Sequence, residues 1–464
     1  MKKLVSVLLL FIFVFGVYAD DTLTAKYIFL MVGDGMGSAH RTAAELYKND
    51  TAESYNLKDS KIDKLVMNTF PVQSLCTTYS KNSSVTDSAA AGTAFATGNK
   101  VESGVISLDK NNKQPYKTIA EIAKDKGMKV GIVSSASIDD ATPAVFYAHQ
   151  ASRNSYYDIS MELGASNFDF FGGGQAKGAA PSGLGGRKSP VDFAIENGFN
   201  VTTNKKQFST LKPSENKVWA YSQYVDYKGG LEYVIDRGDK DSLTLVDFTE
   251  KAIEILDNPN GFFIMVEGGK IDWAAHENDA ATVVKEVLEF DDCVKVAYEF
   301  YKKHPDDTIV VVIADHETGG FIVDSNMDQT LVGLQSQKMS QTKFNEVVKS
   351  FRENKTEFKD AMPVIQNVFG LYNLSNYERE LIEKAYAKSM DGEKEKSDRG
   401  NYGSYDPLGV TCCKIVDNRA GLSWTSFSHT GADVPVSVVG VGQESFSGKI
   451  DNTDIFKNIN QLIK

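Results

Sequence analysis

Four short runs rich in Val, Ile and Phe constrain the fold of this chain more than any other feature. They read KYIFLMV, KVGIVSSA, GFFIMVEGG and DDTIVVVIADH, at residues 26–32, 129–136, 261–269 and 306–316. Amphipathic stretches such as YKTIAEIAKDKG lie between them. Continuous apolar runs of this length are typical of strands buried on both faces, and strands that alternate with helices favour a parallel sheet. The pattern predicts an α/β fold with a largely parallel central β-sheet flanked by helices on both faces.

Polar side chains follow three of these predicted strands. Asp34 comes after the first run. Glu267 and Asp272 come after the third run, and Asp315 and His316 come after the fourth. The carboxyl ends of parallel strands meet at one edge of the sheet, where ligands of open α/β sheets bind. We therefore expect these side chains to lie close together.

Two segments interrupt the alternation of strand and helix. Residues 165–240 are Gly-rich and irregular, and residues 330–420 are polar and largely helical, with the charge run DGEKEKSDRG. We interpret both as surface insertions into one catalytic domain that covers residues 20–464. Runs of charge usually lie on a solvated surface, so we assign no chemistry to this one.

The N-terminal residues have the layout of a secretory signal peptide, which we assign to residues 1–19. Met-Lys-Lys precedes an apolar run at residues 4–17, and Ala19 precedes an acidic pair. The run is shorter than the roughly 20 residues that a membrane-spanning helix needs. The polar C-terminus lacks the hydrophobic tail of a lipid-anchor signal. We expect cleavage near Ala19, no stable membrane anchor, and a secreted or periplasmic protein.

The net charge limits the partners that this chain can bind, and the cysteine content limits how far disulfides can stabilise it. The formal net charge is −12, and no basic stripe offsets phosphate repulsion, so we expect no nucleic-acid partner. An anionic substrate must therefore be attracted by local positive charge. The cysteines are too few for a disulfide framework, and the sequence leaves their pairing open. They are Cys76, Cys293, Cys412 and Cys413.

The run VTDSAAAGTAFATG predicts a tightly packed helix that begins near Ser88. A serine at a helix start can serve as an N-cap. The same position can also hold an anion, because free backbone N–H groups and the helix dipole face it. The motif by itself leaves both interpretations open.

Three of the six histidines stand near carboxylates or glycine-rich turns: His276, His316 and His429. Asp272 precedes His276 by four residues, so one helical turn would place both side chains on the same face. An isolated histidine is more often a core or surface residue than a ligand. Imidazoles together with carboxylates, however, suit zinc.

Six motifs in this order resemble those of the alkaline phosphatase family. They are GDGMG, TDSAAAGTA, DATPAVFYAHQASR, VEGGKIDWAAH, ADHETGG and HTG, and they cover the core from about residue 26 to residue 440. The resemblance implies hydrolysis of phosphate monoesters to an alcohol and inorganic phosphate through a phosphoserine intermediate. It also implies two zinc ions, one magnesium ion and small-molecule phosphate monoesters as substrates, and it is compatible with a homodimer.

The resemblance gives each matching residue a role. Ser88 would be the nucleophile, and Arg153 would grip two phosphate oxygens while Asp87 orients it. The first zinc site would comprise Asp272, His276 and His429. The second zinc site would comprise Asp34, Asp315 and His316, and the magnesium site would comprise Asp34, Thr142 and Glu267. The magnesium set contains only oxygen ligands, which fits a hard cation on chemical grounds as well.

One position departs from the family pattern. Many bacterial members pair an acidic residue at the position of Asp140 with a lysine at the position of Trp273. This chain combines the acidic residue with an uncharged aromatic one, so the identity of the third metal stays open. On this basis, we expect Trp273→Lys to strengthen phosphate binding by adding a positive charge.

Two other functions fit parts of the same pattern. One is a phosphodiesterase of the same metal superfamily, and the other is an inactive protein that binds phosphate or metal. Ser88 and Arg153 favour monoesters, and all the expected ligands are present. A sulfatase would need a modified Cys or Ser in a motif that the chain lacks.

Overall fold

The structure is a computed structural model that describes residues 23–50, 63–109, 111, 113–213, 217–238, 241–324, 331–391 and 399–463. The predicted signal peptide and most of the charge run DGEKEKSDRG lie outside these residues. Within the described ranges, no helix is both long enough and apolar enough to cross a membrane.

The described residues contain sixteen strands, of which ten form one large sheet. The strands are β1 (Tyr27–Val32), β2 (Val72–Cys76), β3 (Leu108–Asp109), β4 (Gln114–Pro115), β5 (Lys129–Ser137), β6 (Phe170–Gly174), β7 (Asn200–Thr202), β8 (Val218–Tyr221), β9 (Phe262–Glu267), β10 (Thr308–Ile313), β11 (Glu317–Thr318), β12 (Phe321–Val323), β13 (Leu422–Trp424), β14 (His429–Thr430), β15 (Val434–Gly440) and β16 (Lys449–Ile450). The order in the large sheet is β16-β2-β15-β10-β1-β9-β5-β6-β8-β7. Among these ten described strands, only β15 runs antiparallel to its neighbours, β10 and β2. The predicted, largely parallel sheet is confirmed.

Helices surround this sheet. The α-helices are α1 (Ser38–Asp50), α2 (Ser88–Thr97), α3 (Ile119–Asp125), α4 (Ala141–Ala144), α5 (Tyr156–Ala165), α6 (Pro190–Glu196), α7 (Lys205–Thr210), α8 (Leu245–Leu256), α9 (Lys270–His276), α10 (Ala280–Lys303), α11 (Gln341–Asn354), α12 (Phe358–Phe369), α13 (Asn376–Asp391), α14 (Arg399–Tyr402), α15 (Pro407–Arg419) and α16 (Asn452–Leu462). Short 3₁₀ helices span Val66–Thr69, Lys177–Ala179, Pro181–Gly183, Val234–Asp236, Leu331–Ser336 and Gln443–Phe446.

Both faces of the sheet are covered, as predicted. Successive side chains of a strand point to opposite faces. On one face, a Cβ built at Gly131 would lie 2.5 Å from Leu256 in α8. On the other face, the ring of Phe263 lies 6.2 Å from that of Phe146, just beyond α4. Gly131 pairs with Ile264, the neighbour of Phe263, so these two contacts belong to opposite faces. Burial on both faces explains why β1, β9 and β10 are apolar throughout.

The strands that end in polar residues are neighbours in the sheet, in the order β10-β1-β9-β5. Asp34 follows β1, Glu267 is the last residue of β9, and Asp315 follows β10. Asp140 follows β5. Parallel strands place all these positions at one edge of the sheet, as the sequence analysis predicts.

The interpretation of residues 165–240 as a surface insertion is wrong in one respect. The segment supplies β6, β8 and β7, which extend the large sheet beyond β5. One of these strands, β6, ends in glycines and so lacks the apolar pattern of a strand in the sequence. Backbone packing leaves no room for side chains at these positions. A Cβ at Gly173 would lie 1.8 Å from the carbonyl oxygen of Ser134. Residues 330–420 contain α11 to α15, in line with their predicted helical character.

The four cysteines are buried and form no disulfide. Burial raises the pKa of the Cys293 thiol well above its ordinary value. Neutral buried thiols behave as small apolar side chains. The core, rather than cross-links, therefore stabilises the described part of the chain.

Candidate active site

A first cluster joins Asp272, His276 and His429. His276 Nε2 lies 3.4 Å from Asp272 Oδ2, and His429 Nε2 lies 3.6 Å from Asp272 Oδ1. The Nδ1 atoms of His276 and His429 face the backbone carbonyls of Phe427, at 2.7 Å, and Thr86, at 2.9 Å. Because a carbonyl only accepts, each Nδ1 carries the hydrogen, and two Nε2 lone pairs face each other at 3.1 Å. A cation between them removes this repulsion, and the donor set suits zinc.

A second cluster joins Asp34, Asp315 and His316. His316 Nε2 lies 3.1 Å from Asp315 Oδ2 and 3.6 Å from Asp34 Oδ1. Asp315 Oδ1 accepts hydrogen bonds from the N–H groups of Gly35, at 3.0 Å, and His316, at 2.9 Å, which orient the carboxylate. Asp34 Oδ1 and Asp315 Oδ2 are buried and have no hydrogen-bond partner. Two such oxygens beside an imidazole nitrogen fit a metal ion.

Without a cation, the buried carboxylates are difficult to ionise. Burial raises the pKa of Asp34 well above its ordinary value, and Asp315 and Asp272 raise it further. Burial, with a contribution from Asp272, raises the pKa of Asp315 to about 6. Burial, with a contribution from Asp140, raises the pKa of Glu267 to about 8. Ionised carboxylates so close together in a buried site repel one another unless cations lie among them.

The two clusters touch. The rings of His316 and His429 are stacked with their centroids 3.5 Å apart. Thr318 Oγ1 donates to Asp272 Oδ1 at 2.6 Å and lies 3.2 Å from His316 Nδ1. Its hydroxyl can accept from His316 Nδ1, which leaves Nε2 free for a ligand bond. Sequence analysis did not single out Thr318, although the motif ADHETGG contains it.

Ser88 lies beside the second cluster. It is the first residue of α2, and its hydroxyl is 3.2 Å from His316 Nε2. The N-cap is Asp87, whose side chain accepts from the N–H of Ala90 at 3.2 Å. The Ser88 hydroxyl is therefore not needed as the helix cap. Because it stands at a helix N-terminus, the backbone N–H groups and the dipole favour an anion next to it.

A third group contains Asp34, Thr142 and Glu267. Asp140 caps the short helix α4 by accepting an N–H bond at 2.7 Å. This turn places Thr142 Oγ1 3.0 Å from Asp34 Oδ2. Glu267 accepts a hydrogen bond from the hydroxyl of Ser134. The group offers only oxygen donors, which suit a hard cation such as magnesium.

Arg153 extends its guanidinium between two carboxylates. Nη1 donates to Asp87 Oδ2 and Nη2 donates to Asp140 Oδ1, both at 3.0 Å. Burial acts to lower the pKa of Arg153, but Asp140 and Asp87 outweigh it and raise that pKa. A permanently charged, planar donor is thus bound to Asp87, the residue before Ser88, where it can bind two oxygens of a phosphate.

These clusters correspond to the motifs that the sequence shares with one family. The family model described as alkaline phosphatase matches residues 25–464. The chain belongs to the alkaline phosphatase family. It is 32% identical to alkaline phosphatase 4 of Bacillus subtilis (strain 168), over 96% of this chain and 90% of that protein.

Solved alkaline phosphatases share the fold. The cold-active enzyme of the psychrophile Shewanella sp. is 29% identical, with a TM-score of 0.77, over 94% of this chain and 100% of that one. A mutant of the TAB5 alkaline phosphatase with magnesium bound in its M3 site has a TM-score of 0.64 at 24% identity, over 95% of this chain and 98% of that one. The predicted family, fold and enzyme class are confirmed: the chain is a phosphoric monoester hydrolase of a metal-dependent family.

The surroundings of Asp140 combine Trp273 with a lysine that lies outside the alkaline phosphatase motifs. Asp140 does have a lysine partner, because Lys177 Nζ lies 2.6 Å from Asp140 Oδ2. Trp273 packs beside this ammonium group, with its ring centroid 5.3 Å from Lys177 Nζ. Lys177 is 37 residues beyond Asp140, in the Gly-rich segment 165–240, so no local motif connects the two.

Proposed function

We propose that this alkaline phosphatase transfers the phosphoryl group of a monoester first to Ser88 and then to water. The contact that carries the proposal is the 3.2 Å distance between Ser88 Oγ and His316 Nε2. This contact places the Ser88 hydroxyl, at the N-terminus of α2, beside the buried carboxylates of the second cluster. Arg153, held by Asp87, supplies the phosphate-binding charge on the same side.

We assign zinc to the first and second clusters and magnesium to the third group. Mixed nitrogen and oxygen donors support zinc, and oxygen donors alone support magnesium. The buried oxygens without partners in the second cluster and the facing Nε2 atoms in the first support cations at both. When bound, these ions supply Lewis acidity, which favours ionised oxygen and balances the charge of the phosphoryl group.

The residues of the chain divide the work as follows. Ser88 Oγ forms a bond to phosphorus while the bond from phosphorus to the alcohol oxygen breaks, and the proton lost by Ser88 is balanced by the one that the leaving alcohol gains. Arg153 binds two nonbridging oxygens, and Asp87 holds its guanidinium in place. A water molecule then attacks the phosphoserine, and Ser88 regains its proton as inorganic phosphate leaves. The N-terminus of α2 favours the negative charge throughout.

Metal removal provides the test. We expect EDTA to lower hydrolysis of p-nitrophenyl phosphate by about a thousandfold or more, and zinc plus magnesium to restore it. Hydrolysis of bis(p-nitrophenyl) phosphate is measured in parallel. A metal-loaded protein that prefers the diester would be a phosphodiesterase. One that binds inorganic phosphate without turnover would be an inactive binding protein.

Glu267→Gln tests the third group separately. The substitution keeps the shape of the side chain but removes the ligand charge, so we expect magnesium affinity and activity to fall about tenfold or more. Zinc content should remain close to that of the parent protein. Glu286→Gln is the matched control, since Glu286 is a buried glutamate outside the three groups. Unchanged magnesium dependence in the Glu267 variant would contradict the assignment.

Two assignments rest on the sequence and the family. The layout of residues 1–19 supports export, so we place the enzyme in the periplasm or outside the cell. The family supports a homodimer. N-terminal sequencing of the exported protein and sedimentation of the purified enzyme would test these assignments.

A further inference from the structure

Lys177 carries a positive charge into the phosphate site from outside the family motifs. Its ammonium lies 2.6 Å from Asp140 Oδ2 and 3.4 Å from the hydroxyl of Tyr156. The rings of Tyr156 and Trp273 lie nearby, with centroids 4.6 Å and 5.3 Å from Nζ. Only about a quarter of the Lys177 side chain is exposed, at 24%. The ammonium is therefore held in place by three neighbouring side chains and is not free in solvent.

The backbone of Lys177 is fixed as well. The buried carboxylate of Asp139 accepts from the N–H groups of Lys177, at 2.9 Å, and Gly178, at 2.7 Å. Ser160 Oγ donates to the same carboxylate at 3.0 Å. A Cβ at Gly178 would lie 2.1 Å from the carbonyl oxygen of Tyr156, so the turn packs tightly against α5. Asp139 is adjacent to Asp140, which joins the turn directly to the site.

Asp140 divides its two oxygens between two cations. Oδ2 accepts from Lys177, and Oδ1 accepts from Arg153 Nη2 at 3.0 Å. Asp87 also binds Arg153, so the two carboxylates and the two cations carry no net charge. Without Lys177 the group would carry one net negative charge and Asp140 would hold Arg153 more strongly, so the attraction of the site for a phosphate dianion would fall.

We propose that Lys177 is a positioning residue for phosphate. It lies in a separate segment of the chain and supplies the positive charge that Trp273 cannot supply. The lysine acts through Asp140 and Arg153 and sets the affinity for both monoester substrate and inorganic phosphate. The inference rests on the proposed function, because it assumes that Arg153 binds phosphate.

Two other lysines approach the same indole ring but do not meet Asp140. Lys270 Nζ lies 4.7 Å from the Trp273 centroid, and its buried ammonium is paired with Asp226. Lys228 Nζ lies 4.9 Å from the centroid. Within the described part of the chain, no carboxylate forms an ion pair with Lys228, so Lys228 provides a control of equal charge beside the same ring.

The test compares Lys177→Gln with Lys228→Gln in the enzyme loaded with zinc and magnesium. For Lys177→Gln we expect KM for p-nitrophenyl phosphate and Ki for inorganic phosphate to rise about three- to tenfold, with kcat changed less than about twofold. Lys228→Gln should leave both constants near those of the parent. Calorimetric titration with inorganic phosphate measures the same affinity without turnover.

A double variant tests whether a lysine at position 273 can replace Lys177. Trp273→Lys in the Lys177→Gln background should bring Ki for phosphate back to within about twofold of the parent, because the Trp273 ring lies 5.3 Å from the Lys177 ammonium and a lysine there would place its charge in the same region. Trp273→Lys alone should strengthen phosphate binding much less. Lys177→Met keeps aliphatic packing between Tyr156 and Trp273, and it should weaken phosphate binding as Lys177→Gln does even if the Gln variant folds poorly.

Three results would overturn the proposal. They are an unchanged phosphate Ki in both Lys177 variants, an equal loss of phosphate affinity in Lys228→Gln, and a phosphate Ki that stays raised when Trp273→Lys is added to Lys177→Gln. Thermal unfolding and metal content are measured for every variant. Failure of the proposed function would instead appear as a parent protein that has no phosphatase activity when metal-loaded. The two failures are thus distinguishable.

Discussion

Replacing Ser88 with alanine is expected to abolish phosphoenzyme formation and to lower kcat by at least about a thousandfold. The hydroxyl is the only group of this residue that can form the bond to phosphorus. Alanine is a good helix former, and Asp87 provides the N-cap, so α2 should remain intact. The carboxylates and imidazoles of both clusters are unchanged, so zinc content should stay near that of the parent.

Acid-quenched phosphoenzyme, steady-state hydrolysis and elemental analysis together check this expectation. Ser84→Ala is the matched control, because Ser84 is an exposed serine four residues earlier in the chain. It should behave as the parent protein does. Parent-like turnover in the Ser88 variant would remove the nucleophile from the proposal.

Asp315→Asn and His316→Ala are expected to empty the second cluster of zinc. Asn keeps an oxygen that can accept from the N–H groups of Gly35 and His316, but it converts the ligand Oδ2 into a donor. His316→Ala removes the only nitrogen of the cluster. We expect zinc content to fall by about one ion per chain and activity to fall at least about a thousandfold.

Zinc content of the purified variants and activity over a series of zinc concentrations provide the measurement. The control is His149→Gln, since His149 bonds to Ser107 and Glu121 and belongs to neither cluster. It should retain the zinc content of the parent. Full zinc occupancy in Asp315→Asn and His316→Ala would refute the second zinc site.

Much of the site could be predicted from the sequence because its ligands follow buried strands directly. Asp34 and Asp315 stand two residues beyond β1 and β10, and Glu267 ends β9. A parallel sheet brings such positions to one edge whatever the loops do. Asp272 and His276 are one helical turn apart in α9, so the contact between their side chains also follows from local structure.

Other features could not be predicted because they depend on packing between distant parts of the chain. The hydroxyl of Thr318 meets Asp272 across 46 residues. The strands β6, β8 and β7 extend the large sheet, and β6 contains glycines in a space that side chains cannot occupy. Neither feature has a periodicity or a spacing that marks it in the sequence.

The sequence by itself determined the family, the α/β architecture and the residues of the three candidate metal groups. These follow from strand periodicity and from motifs whose members are neighbours in the chain or end adjacent strands. Only the tertiary structure decided how charge is arranged around Asp140. Trp273 stands where many bacterial family members have a lysine, and the fold brings Lys177 from another segment to within 2.6 Å of that carboxylate. A lysine side chain is long, flexible and common, so its partner is set by the packing of the turn that carries it.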